Sequence, residues 1–172
     1  DDAGNLIGQK LRFPDKTFLT LGQVSNTFFG QQKFSGGRQK IIITEGEIDC
    51  LTVSQIQGNK YPVVSIPCGC RSAKKVIEHN LEWLSTFDEV ILMFDMDEPG
   101  REATADVAPL LKNAFIATLP LKDPNECLQA GRSQEVIQAI WNAKPYKPDG
   151  IINGTDLWER IKDQTVVPSV PY

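Results

Sequence analysis

Apolar residues from position 40 onward occur in short runs, separated by longer stretches in which they recur with helical spacing. The short runs predict buried strands at 41–44, 63–66, 89–94 and 114–119. The periodic stretches predict helices at 47–57, about 72–84, 100–111 and 134–142. Strands and helices that alternate in this way favour an α/β fold with a mainly parallel sheet flanked by helices.

The first 40 residues have a different pattern, with frequent glycines and two short strand-like segments, 9–13 and 17–21, joined by a turn. They carry six Lys or Arg against three Asp, whereas residues 41–172 carry twelve Lys or Arg against nineteen Asp or Glu. We therefore expect a small basic β-rich N-terminal subdomain over 1–40 and an α/β domain over 41–148. A basic arm joined to an acidic body suits a protein that holds phosphates and binds metal cations.

Several classes of protein are disfavoured by the composition. The apolar runs are much shorter than the ~20 residues that cross a bilayer, and the first residues do not have the pattern of a secretory signal. The cysteines at positions 50, 68, 70 and 127 include no Cys-x-x-Cys pair, and His79 is the single histidine. A structural zinc site is therefore not expected, and we interpret the cysteines as reduced thiols of a cytosolic protein.

The sequence Thr-Glu-Gly-Glu-Ile-Asp at 44–49 lies where the first strand of the predicted sheet ends and its helix begins. Ligands of open α/β sheets bind at this carboxyl edge. Gly46 permits a tight turn, so Glu45 is expected to project into the crevice. Glu47 and Asp49 have a second explanation, because the dipole of a helix favours acidic residues in its first turn.

A second acidic motif, Asp-Met-Asp-Glu-Pro-Gly at 95–100, follows the most apolar strand. Strand alternation predicts that Asp95 and Asp97 share a face. Two adjacent carboxylates repel each other unless a cation lies between them, and Mg2+ commonly binds one or two carboxylates, water and phosphate. Asp123 follows the fourth predicted strand and is either a helix N-cap or a further acid of this site. Glu45, Asp95, Asp97 and Asp123 together suggest metal-assisted phosphoryl chemistry.

The order of these motifs resembles the Toprim domain of bacterial-type primases, type IA and II topoisomerases and some nucleases. The resemblance is closer to the primase part of phage T7-like primase–helicases and extends over essentially the whole chain. The similar segments are Gly4-Asn5-Leu6, Gln9-Lys10, Asp15-Lys16, 43–49, Leu51-Thr52-Val53, 61–65, Ala73-Lys74-Lys75, 91–98, Asn125-Glu126-Cys127 and Trp141-Asn142-Ala143. One loop differs, because this chain has Pro-Cys-Gly-Cys at 67–70 where the related phage protein has Gly-His-Gly.

The resemblance implies a role for each of these acids and for several basic residues. Glu45 is the expected general acid/base and, with Asp95, Asp97 and Asp123, belongs to the set of acids expected at a catalytic Mg2+, for which Mn2+ can substitute. Lys10 and Lys16 correspond to lysines that line the groove leading to the active site and contact the nucleotide or primer. Arg12 and Lys74 are further candidates for phosphate contact.

The resemblance also implies an activity and partners. It predicts a DNA primase, a nucleotidyltransferase that makes RNA primers from ribonucleoside triphosphates on single-stranded DNA, in the cytoplasm of a phage-infected bacterium. Residues 41–148 are then the Toprim catalytic domain. Residues 149–172, with a short helix from Thr155 to Asp163, resemble the start of a linker to a helicase. The expected partners are a zinc-binding and a helicase domain of the same protein, which forms a hexamer when the helicase is present.

Two alternative functions remain open at this point. A Toprim-type metal-dependent nuclease uses similar acids, but the basic arm with its two matching lysines favours a primase. A non-catalytic DNA-binding or assembly module of a replicative helicase is the other alternative. The presence of every expected acid disfavours it.

Overall fold

A mixed sheet between two layers of helices forms the centre of the computed structural model, which describes residues 3–15, 17–23, 26–37, 39–148 and 154–162. The strands in these residues are β1 (Gly8–Arg12), β2 (Phe18–Gly22), β3 (Lys40–Thr44), β4 (Val63–Ser65), β5 (Glu89–Met93), β6 (Ala114–Ile116) and β7 (Lys144–Pro145). The α-helices are α1 (Glu47–Ile56), α2 (Ala73–His79), α3 (Leu81–Leu84), α4 (Glu98–Val107), α5 (Pro124–Gln129), α6 (Ser133–Trp141) and α7 (Gly154–Lys162).

The central sheet has the strand order β4-β3-β5-β6-β7. Its strands run parallel except for β7, which pairs antiparallel with β6. Thr44, at the end of β3, lies opposite Ser65 of β4 and Met93 of β5. The segments that follow these three strands therefore begin at the same level of the carboxyl edge.

Side chains of the central strands alternate between two apolar cores, as expected for a sheet that is covered on both faces. Ile41 and Ile43 of β3 belong to one core, which includes residues of α2, α3 and α4. Ile42 belongs to the other core, which includes residues of α1, α5 and α6. The almost continuous apolar runs of β3 and β5 arise because both of their faces are buried.

The first 40 residues form an antiparallel hairpin and a segment that returns to the sheet. β1 pairs with β2 from Gly8↔Gly22 to Arg12↔Phe18. In the returning segment, Phe28 is buried in the first core, and Phe29 forms a bridge to Ser65 at the end of β4. These contacts place the hairpin at the carboxyl edge of the sheet. The predicted division of the chain near residue 40 stays a prediction.

The α/β fold, the mainly parallel sheet and the small β-rich N-terminal part are confirmed. The predicted helix at 72–84 is instead two helices, α2 and α3, which meet at Asn80. The Asn80 side-chain amide donates hydrogen bonds to the carbonyl oxygens of Val76 (2.7 Å) and Asn26 (2.8 Å), so this residue ties the helix break to the returning segment. No helix in the described part of the chain is long and apolar enough to cross a membrane.

β7 was not predicted, and α5 was predicted only as the helix that Asp123 would cap, because two and six residues are too few to establish a period. α4 begins at Glu98, slightly before the predicted start, because Asp97 caps it. The helix predicted from Thr155 to Asp163 corresponds to α7, although the Thr155 side chain and Asp163 lie outside the described residues. All four cysteines are free thiols, as predicted.

Gly100 is the position in α4 where a side chain has no room. A Cβ atom there would lie 2.2 Å from the Asp95 carbonyl oxygen and 3.0 Å from the Asp95 backbone nitrogen. We expect Gly100→Ala to lower the free energy of unfolding by about 1–3 kcal/mol or more, because the rigid backbone must move. Urea denaturation measures this loss.

The matched control for this prediction is Gly154→Ala at the start of α7, where an added Cβ meets no atom within 4 Å. That substitution should change the free energy of unfolding by no more than about 0.5 kcal/mol. Equal urea midpoints for the two variants would show that the contact between α4 and the Asp95 backbone is not tight.

Candidate active site

The predicted acids follow neighbouring strands at the carboxyl edge of the sheet. Glu45 comes directly after β3, and Gly46 provides the extended N-cap of α1. Asp95 follows β5 after one intervening residue, and Asp123 precedes α5 beyond the end of β6. Because β3, β5 and β6 are adjacent parallel strands, their acidic loops lie side by side.

A lysine joins Asp95 and Asp97. The Lys122 ammonium nitrogen lies 3.4 Å from Asp95 Oδ2 and 3.2 Å from Asp97 Oδ2. The two aspartates therefore converge, as the sequence suggested, but strand alternation is not the cause. β5 ends at Met93, and Met96 packs against the same core as Met93, so the alternation of faces along the strand does not continue through the loop. A backbone hydrogen bond of 2.7 Å from Met96 N to Lys122 O holds the two loops together.

The pKa values of the two aspartates are shifted in opposite directions. Asp97 caps α4 by accepting a hydrogen bond of 3.1 Å from Gly100 N, and this bond together with Lys122 lowers the pKa of Asp97. Burial and the nearby charge of Glu45 raise the pKa of Asp95 to about 6, although Lys122 opposes the shift. Hydrogen bonding to Asp97 and the charge of Asp95 raise the pKa of Lys122. The ammonium group therefore stays positive between the two carboxyl groups.

Glu45 has a free acceptor in this setting. Its Oε2 atom is buried and has no hydrogen-bond partner among the described residues. The Cys70 thiol hydrogen-bonds to the Glu45 side chain. Burial is the largest cause of the raised pKa of Cys70, and the charge of Glu45 is the next. A buried carboxylate oxygen without a donor is costly, so it is suited to accept a proton or hydrogen bond from a bound ligand.

Asp49 is a member of the site that the sequence analysis did not single out. Burial, with the charges of Asp123 and Asp95, raises the pKa of Asp49 to about 7. Its Oδ1 atom also accepts a long hydrogen bond (3.4 Å) from Asn125 N at the start of α5. The spacing to Glu45 was a usable signal, because a residue in the first turn of α1 lies above the strand end. The helix dipole explains an acidic residue at position 49 without any site, so Asp49 was not counted among the candidate acids.

Asp123 has the structural role that the sequence left open. Its Oδ1 accepts a hydrogen bond of 2.7 Å from Glu126 N and so caps α5. Its charge nevertheless contributes to the raised pKa values of Asp49 and Asp95, which places it beside the cluster. Its role as a metal ligand stays a prediction.

The arrangement fits a hard divalent cation. In the described residues, no group of three or more His, Cys, Asp or Glu side chains encloses a metal position by itself. Two carboxylates are enough for Mg2+, which fills its other positions with water and substrate phosphate. Asp95 and Asp97 already share a cation, the Lys122 ammonium group, and Glu45 has an unpaired oxygen. These groups therefore have the chemistry that such an ion requires.

A groove of about 1150 Å³ separates the acids from the N-terminal hairpin. Glu45, Asp49 and Asp95 line one side. Lys10 and Arg12 of β1 line the other, and their contact with nucleotide or primer stays a prediction. Lys16 lies outside the described residues, so its location stays a prediction. Lys74, in the first turn of α2, is exposed and lies outside the described lining of the groove.

The Lys10 ammonium group forms hydrogen bonds to two loops at the carboxyl edge of the sheet. Its ammonium group donates hydrogen bonds to Glu47 Oε1 (2.9 Å), to Glu47 Oε2 (3.0 Å) and to the Pro67 carbonyl oxygen (3.1 Å). These three bonds use the three donors of the lysine. Lys10 therefore holds the hairpin to the two loops beside Glu45, a connection that the sequence analysis did not foresee.

Comparison with known proteins agrees with this geometry. The Toprim-like family matches residues 42–128, and the chain belongs to that family. The chain is 43% identical over 166 residues to the DNA helicase/primase of Enterobacteria phage T3. That alignment covers 95% of this chain and 29% of the relative, so the chain spans less than a third of the relative's length.

Solved structures also resemble the chain. One is a chain from the structure of a complex in which the bacteriophage T7 lagging-strand DNA polymerase interacts with primase domains of two gp4 subunits, bound to an RNA/DNA hybrid and dTTP. It has 45% identity and a TM-score of 0.80, over 85% of this chain and 76% of that chain. The primase fragment of the bacteriophage T7 primase–helicase has 44% identity and a TM-score of 0.78, over 82% of this chain and 60% of that chain. The DnaG primase catalytic domain bound to single-stranded DNA, at 19% identity and a TM-score of 0.63 (84% and 51%), shares the fold. The predicted Toprim fold is thus confirmed.

The raised pKa of Asp49 predicts a pH-dependent effect on stability. Between the usual pKa of 3.8 and the folded value of about 7, the folded chain keeps a proton that the unfolded chain releases. The stability due to this proton is complete below about pH 4 and is lost as the pH rises to about 7. We expect Asp49→Asn, which does not titrate, to gain melting temperature relative to the parent over this range and to reach a plateau above it.

Thermal melts in EDTA between pH 4 and 8 test this prediction without bound metal. The control is Asp106→Asn, at an exposed position of α4, which should show no such trend. A melting-temperature difference for Asp49→Asn that does not depend on pH would contradict the assigned pKa.

The bonds of Lys10 predict how the hairpin is held. Lys10→Ala and Glu47→Ala should each accelerate amide hydrogen exchange in residues 8–22 by about fivefold, the effect of losing about 1 kcal/mol of local stability. The double variant should exchange no faster than Lys10→Ala, because that change already removes the ion pair together with the bond to the Pro67 carbonyl oxygen. Lys75→Ala, at an exposed position of α2, is the control. Unchanged exchange in all variants would mean that other contacts hold the hairpin.

Proposed function

We propose that the chain is the catalytic part of a DNA primase, which joins ribonucleotides into RNA primers on single-stranded DNA. The observation that carries this proposal is the pair Asp95 and Asp97 on one cation, beside the unpaired Glu45 oxygen and across a groove from a basic hairpin. The similarity to the phage T3 helicase/primase and to the T7 primase fragment supports it.

The reaction is a nucleotidyl transfer. The 3′-hydroxyl oxygen of one ribonucleotide attacks the α-phosphorus of a ribonucleoside triphosphate and forms a new P–O bond. The bond between the α-phosphorus and the bridging oxygen to the β-phosphate breaks, and pyrophosphate leaves. Glu45 Oε2, which is buried and has no hydrogen-bond donor among the described residues, is the proposed acceptor of the hydroxyl proton. The raised pKa values of Asp49 and Asp95 show that the pocket already disfavours further negative charge.

Asp95 and Asp97 are the residues that would hold Mg2+, or Mn2+ in its place, with Glu45 and Asp123 as the other acids of the predicted set. The bound ion supplies positive charge to the phosphate oxygens and to the pyrophosphate leaving group. Lys122, whose ammonium group lies between the two aspartates, is a proposed partner for a substrate phosphate. Lys10, Lys16, Arg12 and Lys74 are the proposed contacts to nucleotide or primer.

The larger assembly is also a proposal. By similarity to a helicase/primase, we infer that a helicase domain belongs to the same full-length protein. The zinc-binding domain, the hexamer and the cytoplasm of the infected bacterium are proposed from the resemblance of the sequence. Residues 149–172 are the proposed start of the linker to the helicase domain. In the described part of this segment, Leu157, Trp158 and Ile161 of α7 are exposed, as expected for a helix that packs against another part of the assembly.

The alternatives differ from a primase in their products. A Toprim-type nuclease shortens single-stranded DNA, and a non-catalytic assembly module produces neither primers nor fragments. The basic residues of the hairpin favour the primase over the nuclease, because a primase must hold nucleotides as well as a DNA strand against an acidic pocket.

Asp97→Asn provides a test with the helix cap preserved, since Asn is as good an N-cap as Asp. It removes one carboxylate charge from the metal position, and we expect primer synthesis with Mg2+ to fall by about 100-fold or more. The measurement is incorporation of labelled ribonucleotides on single-stranded DNA, with and without an added zinc-binding domain. Mn2+ binding, measured by electron paramagnetic resonance, should weaken in parallel.

Glu98→Gln is the matched control, because Glu98 is the next residue along the chain and its side chain is 79% exposed. It should retain full activity. Full activity of Asp97→Asn would remove Asp97 from the metal site. Metal-dependent DNA cleavage by the parent chain, without primers, would favour the nuclease.

A further inference from the structure

The side of the hairpin that faces the groove carries an aromatic ring among cations. Arg12 pairs with Phe18 and Lys10 with Thr20 across the two strands, so these four side chains share one face. All four line the groove that contains Glu45 and Asp95. The other face carries Leu11 opposite Leu19.

The Phe18 ring is accessible and lies close to two positively charged side chains. Phe18 is 54% exposed although it lies in the groove. The Lys10 ammonium nitrogen lies 4.7 Å from the ring centroid, and the Arg12 guanidinium carbon lies 5.7 Å from it. Both distances are within the range of cation–π attraction. Leu11 and Leu19 are exposed as well, but they are aliphatic and lie outside the described lining of the groove, so exposure alone does not distinguish Phe18.

The location of the ring relative to the acids is set by Lys10. The same ammonium group that approaches Phe18 also binds Glu47, two residues after Glu45, and the carbonyl oxygen of Pro67. One lysine therefore joins the ring to both loops that border Glu45. A flat ligand on Phe18 could extend phosphates toward the carboxylates without moving the hairpin.

Nucleobases bind in this way to proteins. Unpaired bases stack on aromatic rings and on the planes of arginine guanidinium groups, and this stacking tolerates any base because every base has a π face. We propose that Phe18, with Arg12 beside it, is the stacking surface for the base of a ribonucleotide whose phosphates point toward Asp95 and Asp97. The inference rests on the proposed function and adds the place where the base is held.

A fluorescence experiment tests binding without requiring catalysis. Phe18→Trp introduces a reporter at the proposed surface, and Leu19→Trp introduces the same reporter on the opposite face of β2. The parent chain provides the background from its own tryptophans. ATP with Mg2+ should quench the reporter at position 18 and leave the one at position 19 unchanged. Inorganic triphosphate with Mg2+, which has charge but no base, should quench neither.

Two ligands separate the possible sources of the base. Quenching by ATP alone assigns the surface to the incoming nucleotide, and quenching by a short oligoribonucleotide but not by ATP assigns it to the growing primer. Either result supports a stacking surface. Equal quenching by inorganic triphosphate and ATP, or no quenching by any nucleotide, would overturn it.

Kinetics provide a second readout. Phe18→Leu keeps an apolar side chain but removes the π face, and it should raise the KM for nucleotide or primer by roughly tenfold. Phe18→Tyr should restore the KM of the parent, and Leu19→Ala should not change it. If the parent makes primers while Phe18→Leu has the parent KM and the reporter is not quenched, this inference is wrong and the proposed function stands. If the parent makes no primers but ATP quenches the reporter, the proposed function fails and the base-binding surface stands.

Discussion

Repulsion among carboxylates at the carboxyl edge of the sheet is the constraint on which the rest of the site depends. Lys122 lies between Asp95 and Asp97 and offsets part of it. The N-termini of α4 and α5 offset a further part of the repulsion, because Asp97 and Asp123 cap these helices. The repulsion that is not offset contributes to the raised pKa values of Asp95 and Asp49. An edge of this kind gains from binding a divalent cation, which displaces protons from such groups.

The same acids also build the local fold. Asp97 and Asp123 each start a helix that has proline at one of its first two positions, where the missing N–H is not needed. Gly100 brings α4 against the backbone of Asp95, closer than any side chain would permit. Substitution of these aspartates by alanine therefore removes a helix cap together with a charge. Asparagine, which keeps the cap, separates the chemical role from the structural one.

The hairpin is held over this edge from two directions. Phe28 in the core and the Asn80 amide anchor the returning segment, and Lys10 binds Glu47 on the opposite side of the groove. Lys10 and Arg12 are thus located across the groove from the acids. In this structure the Lys10 ammonium group is bound to Glu47. Arg12, the other basic residue of β1, also lines the groove and has no ion pair with the acids among the described contacts.

The sequence alone determined the alternation of strands and helices and the position of Glu45 and Asp95 beyond the ends of two strands, because both follow from local periodicity and from the rule that ligands bind at the carboxyl edge. Tertiary structure alone decided the strand order and the antiparallel β7. It also brought Lys122 to Asp95 and Asp49 to Asn125. These contacts join residues that lie far apart along the chain, and a pKa depends on such distances and on burial. No pattern within a short stretch of sequence contains either quantity.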